Sequence, residues 1–151
     1  MKKILMIGGP VLLLLLVAAK MFLMPAAPPP DEKALAKEPG PIYTMAEPFV
    51  VNLSDGADTP HFAKVGVALR LSMFSAAELP AGGHAKAGEP VVIEADPELR
   101  DIVIATLQAH SSEELSHSEG REKVKKEIVK EVNKHTDLKI LDVYYTEFAV
   151  Q

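Results

Sequence analysis

Cysteine is absent from this chain, and no aspartate or glutamate occurs in its first 30 residues. The first absence excludes a disulfide framework, a thiolate metal site and a cysteine nucleophile. Other catalytic signatures are missing as well. No GxSxG pattern is present, so a serine nucleophile has no local support. The histidines, His61, His84, His110, His117 and His135, form no i,i+4 pair. His110 and His117 would share a face only if one helix ran unbroken through Ser111 and Ser112. Gly82-Gly83 lacks the strand-to-helix context of a phosphate loop, and Glu113-Glu114 reads as surface charge on a polar helix end. The sequence therefore nominates no catalytic, cofactor-binding or metal-ligating residue. An enzyme acting through His110 or His117 is the weaker hypothesis.

A basic surface is also missing. Of the 16 basic residues, Lys2, Lys3 and Lys20 precede Pro25, while all 21 acidic residues follow it, leaving 13 − 21 = −8 on the remainder. That balance argues against nucleic acid and against lying flat on anionic lipid, and it suits a partner-binding domain.

What the chain does have is a 21-residue apolar run from Ile4 to Met24, broken only by Lys20. As a helix it spans about 31 Å, the thickness of a bilayer's hydrocarbon core. Lys2 and Lys3 ahead of it place residues 1–3 in the cytoplasm and everything after the run outside. Lys20 lies near enough the far end to snorkel to the interface. The rival reading is a cleaved signal peptide, with Val17 and Ala19 as the small residues of a cleavage site. The run is long for that, and Met21 to Met24 extend it further. Either way the rest of the chain is exported.

Residues 25–46 read as a linker. Six prolines fall between Pro25 and Pro41, favouring an extended backbone with a reach of up to about 50 Å. Helix formers in Asp31–Glu38 would shorten it. Residues 47–151 are enough for one domain. Phe49, Val51 and Leu53 alternate as a strand closed by Ser54-Asp55-Gly56. Ala63, Val65, Val67, Leu69, Leu71 and Met73 then mark one apolar face of a long strand buried on one side. Ser75–Pro90 is a flexible Ala/Gly-rich loop, and Val91–Glu94 resumes a strand.

Asp96-Pro97 predicts a helix start, with the Asp carboxylate as its cap. Leu99, Ile102, Val103 and Leu107 follow helical spacing as far as Ser111, and Ser112–Leu115 forms a short turn. A second helix begins after Ser118 with the stripe Val124, Ile128 and Val132 widened by Val129; Glu122 and Lys126 pair on its solvated face. The last strand, Leu138–Val150, is apolar on both alternating sets, Leu141, Val143 and Tyr145 against Ile140, Tyr144, Phe148 and Val150. A central position, or cover from a neighbouring subunit, would explain that. The expected fold class is α+β, an antiparallel sheet with two helices packed on one face, behind a single N-terminal transmembrane helix.

EPFVVNLSD at Glu47–Asp55 precedes the alternating strand FAKVGVALRLS. PELRDIVIATL at Pro97–Leu107 is followed by GREKVKKEIVKEVN at Gly120–Asn133, and the chain closes on VYYTEFAVQ. In this order, behind an apolar run and a short linker, these stretches resemble the FliL family of flagellar basal-body proteins. The resemblance implies an SPFH/stomatin-like periplasmic domain on an inner-membrane anchor. It implies a homo-oligomeric ring around flagellar stator proteins, supporting torque, motility and swarming, with no catalytic residues to carry over. The departure is the loop around Gly82, Gly83 and Gly88. A general SPFH-like membrane scaffold not tied to the flagellum is the alternative.

Overall fold

Phe62–Ser72, the strand whose alternation is clearest in the sequence, runs through the middle of the sheet, and every other strand pairs with it. The computed structural model describes residues 31–55, 60–78 and 93–151, which belong to one unit starting at Asp31. In chain order the elements are α1 (Glu32–Leu35), β1 (Pro39–Thr44), β2 (Phe49–Asn52), β3 (Phe62–Ser72), α2 (Met73–Glu78), α3 (Asp96–Gln108), α4 (Ser112–Ser116), α5 (Ser118–His135) and β4 (Ile140–Val150). Among the described residues no helix is long and apolar enough to cross a membrane; the apolar run at 4–24 lies outside them.

β2 and β4 both pair with the Ala63–Val65 part of β3, so they flank it on opposite edges. β1 pairs farther along, from Thr44 opposite Ala68 to Pro39 opposite Ser72. β1 and β2 therefore lie end to end along one edge, β4 takes the other, and all pairings are antiparallel. The inward set Ala63, Val65, Val67, Leu69 and Leu71 is buried against Leu99, Val103 and Leu107 of α3 and Val124, Ile128 and Val132 of α5. Each helical triplet is spaced i, i+4, i+8, so it forms one stripe, and both stripes cover the same face of the sheet. The architecture is α+β, as the patterning predicts.

Several local expectations are corrected. β1 falls inside the stretch read as linker, 25–46. Its Pro39 and Pro41 lack backbone donors, which an edge strand with a register shift tolerates as readily as an extended linker does. Tyr43 and Met45 are buried in the core. Burial on β3 is not confined to one side, because Gly66, Ala68 and Ser72 are buried too. Met73 leaves the inward set, starting α2 and standing 38% exposed. Ser75 belongs to that helix rather than to a loop; residues 79–92 lie outside the described ones. Ile93 and Glu94 do not form a strand, and Glu94 is in a turn.

β4 needs neither a central place nor a neighbouring subunit to explain its two apolar sets. Its register against β3 shifts twice. Glu147 faces Gly66 and Tyr145 faces Val67, so Thr146 is an extra residue; Asp142 faces Arg70 and Ile140 faces Leu71, so Leu141 is another. Each bulge flips the phase of the alternation. The inward side chains are thus Ile140, Val143, Tyr145, Phe148 and Val150, drawn from both sets. A Cβ on Gly66 would collide with the Thr146 hydroxyl, which accounts for glycine beside the second bulge.

Candidate functional site

The start of α3 is held differently from the sequence expectation. Ala95 is its cap residue and makes no side-chain cap bond; Asp96 and Pro97 occupy its first turn. The Asp96 carboxylate instead accepts the Tyr43 hydroxyl proton at 2.5 Å, tying β1 to α3. Burial, and then this bond, raise the Tyr43 hydroxyl above its ordinary range. Arg100, one turn on, sits over the Phe49 ring at 4.6 Å and ties α3 to β2 as well.

The densest polar cluster forms where α3 ends. The backbone leaves the helix at Ala109, and the His110 carbonyl accepts the Ser54 N–H at 3.0 Å. Ser111 then caps α4 through a capping box: its hydroxyl accepts from the Glu114 N–H at 3.2 Å, and the Glu114 carboxylate accepts from the Ser111 N–H at 3.4 Å. Ser112 donates its N–H to Asp55 at 2.7 Å, drawing the turn after β2 against α4. The buried His110 ring lies between two carboxylates, with Nδ1 3.0 Å from Glu114 and Nε2 2.7 Å from Glu127 of α5. Lys123 donates to the other Glu114 oxygen at 3.3 Å. His110, then Ser111 and Lys123, hold the Glu114 carboxyl below the ordinary carboxylate range.

The two carboxylates approach the ring from opposite nitrogens, so they converge on no shared point. Among the described residues no group of three histidine, aspartate or glutamate side chains could hold a metal ion. His110 and His117 are separated by the break at Ser111, as expected. His117 is exposed and joins α4 to α5, His135 pairs with Glu131 at 3.2 Å, His61 lies 3.5 Å from Asp55, and His84 is outside the described residues. The His110–Glu114 pair at i,i+4 is visible in the sequence, but spacing among the histidines alone does not reveal it. Glu127, brought in by the fold of α5, had no sequence signal.

A second seam joins α5 to β4. Arg121 lies over Phe148 at 5.5 Å and Lys125 over Tyr145 at 5.3 Å, with the two rings 4.9 Å apart. Lys125 also pairs with Glu122 at 2.6 Å. Part of the face expected to be solvated is thus a packing surface. On the opposite face of the sheet the large side chains left open are Ile42, Phe62 and Val50, the last 69% exposed.

The described residues thus form an α+β unit whose polar clusters tie helix ends and strands together and which leaves Ile42, Val50 and Phe62 open on one sheet face. Residues 42–151 match the family described as flagellar basal body-associated protein FliL. The chain belongs to that family. It is also 29% identical over 120 residues to the flagellar protein FliL of Aquifex aeolicus (strain VF5), a match covering 79% of this chain and 66% of that protein, just under two thirds of its length.

Proposed function

We propose that the chain is a membrane-anchored accessory protein of the flagellar basal body. It presents an SPFH-like domain on the extracytoplasmic side and forms a ring around stator units, supporting torque in swimming and swarming. No chemical step is assigned to it. The observation that carries this reading is the family match, which takes in β2, β3, β4 and every helix from α2 onward. The anchor rests on the 21-residue apolar run and the two lysines ahead of it. Self-association draws support from the open apolar side chains Ile42, Val50 and Phe62 and from the edge of β4 turned away from β3, which has no strand partner among the described residues. The apolar content of β4 adds nothing to that support, since its bulges already direct those residues into the core.

The test is a chromosomal deletion, complemented in trans, scored for swimming under load, swarm expansion and stator recruitment. Loss of torque and of recruited stators supports the proposal. Unchanged torque with altered membrane organisation would select the general scaffold instead. A reporter fused behind Gln151 should respond only outside the cytoplasm, and a cytoplasmic signal would overturn the anchor's orientation.

A further inference from the structure

A histidine ring with a carboxylate at each nitrogen can satisfy both only when it carries two protons. A neutral imidazole donates from one nitrogen and offers a lone pair at the other. His110 is in that position, between Glu114 on α4 and Glu127 on α5. Among the described residues the charged groups around it are these. α4 contributes Glu114, and α5 contributes Glu127, Lys123 behind Glu114, and Arg121, whose guanidinium donates to the Leu115 and Ser116 carbonyls at 3.0 and 2.9 Å. The turn after β2 contributes Asp55, with His61 beside it. α3 has no basic residue in its last turn and presents its C-terminal carbonyls, which favour a positive charge.

We infer that His110 is a proton-dependent clasp, and that losing its proton unseats the one-turn helix α4 while leaving α5 in place. The two carboxylates are not equivalent, and that decides which side opens. Glu127 has the shorter contact and no other hydrogen-bond partner among the described residues, so the remaining N–H stays on Nε2. Glu114 has Ser111 and Lys123 as alternatives and then faces the Nδ1 lone pair. α4 has only five residues and a single buried side chain, Leu115. Its tie to the Asp55 turn runs through Ser112, so the turn loosens with it. The result is a flap at one end of the unit, closed while the ring carries both protons and released when it carries one. This device does not depend on the flagellar reading.

The experiment is NMR of the full-length protein in detergent micelles, following the His110 ring nitrogens and the amide exchange of Leu115 and Ser116 from pH 5.5 to 8. Expected is a neutral ring protonated at Nε2. Exchange at both amides should accelerate about tenfold beyond the intrinsic base-catalysed rise, with a midpoint matching the ring titration. Glu114→Gln removes the charge that the ring's second proton acts on and can place its amide NH2 against Nδ1, at the cost of the Ser111 N–H bond to the same position, so it should abolish that extra acceleration. His61→Asn should leave it intact. The inference is overturned by an Nδ1-protonated neutral ring, by exchange that does not track the ring, by a Glu114→Gln protein that keeps the acceleration, or by its loss in His61→Asn.

Discussion

The Tyr43 hydroxyl donates to Asp96 from 53 residues away in sequence, fixing the first strand to the first turn of α3. The acceptor is an ionised carboxylate, and such bonds contribute more than neutral ones. Tyr43→Phe should therefore lower unfolding stability by about 1.5–3 kcal/mol, read from the midpoint shift in urea. An unchanged midpoint would mean that water replaces the hydroxyl at no cost.

Ile128 lies in the middle of the buried stripe of α5, beneath the sheet. Ile128→Asp would place a carboxylate where no partner exists, costing several kcal/mol of a stability that is itself only about 5–15 kcal/mol. The expected result is loss of cooperative thermal melting. A variant melting like the parent would contradict the seating of this helix.

How far the sequence revealed the fold depended on whether its pattern was locally regular. β3 alternates without interruption and α5 repeats every four residues, so both could be read directly. β1 was concealed because the prolines that suit an edge strand also suit a linker. The phase of β4 was hidden by Leu141 and Thr146, since a bulge becomes visible only against its partner strand. The His110 cluster was half legible: Glu114 lies one helical turn from His110, whereas Glu127 reaches it only through tertiary packing.

Gly66 and Thr146 form a size-matched pair across the second bulge. Gly66→Ala should destabilise the domain by about 1–3 kcal/mol through overpacking. Because the Thr146 hydroxyl is the nearest obstacle, Thr146→Ala in the same chain should recover part of that loss. A double-mutant cycle in denaturant measures the coupling, and strictly additive effects would show that the strands adjust independently.

The Glu114 carboxyl is held low first by His110, then by Ser111 and Lys123. A depressed carboxylate contributes stability above its unfolded pKa and loses it as pH falls through its folded one. The stability difference between the parent and Glu114→Ala should therefore narrow below about pH 4, the ordinary glutamate value. Thermal melts from pH 2.5 to 6 would show this, and a difference that stays constant over that range would remove the carboxylate's charge from the explanation.

The described unit begins at Asp31, and in the sequence Pro25–Pro30 lies between it and the apolar run. On the anchored reading proposed above, those residues if extended would allow roughly 19 Å at about 3.1 Å per residue, far less than a linker running to Pro41. The segment on either side of Asp31 should then respond to mutation in two different ways. Deleting Pro39–Thr44 removes a paired strand and the Tyr43 bond, and should abolish cooperative unfolding. Deleting residues 26–29 should leave the melting temperature unchanged but, on the proposed reading of an anchored domain that must reach its partners, reduce swarm expansion. Replacing those four residues with other extended ones should restore swarming. If deletion and replacement swarm alike, reach is not what this stretch supplies.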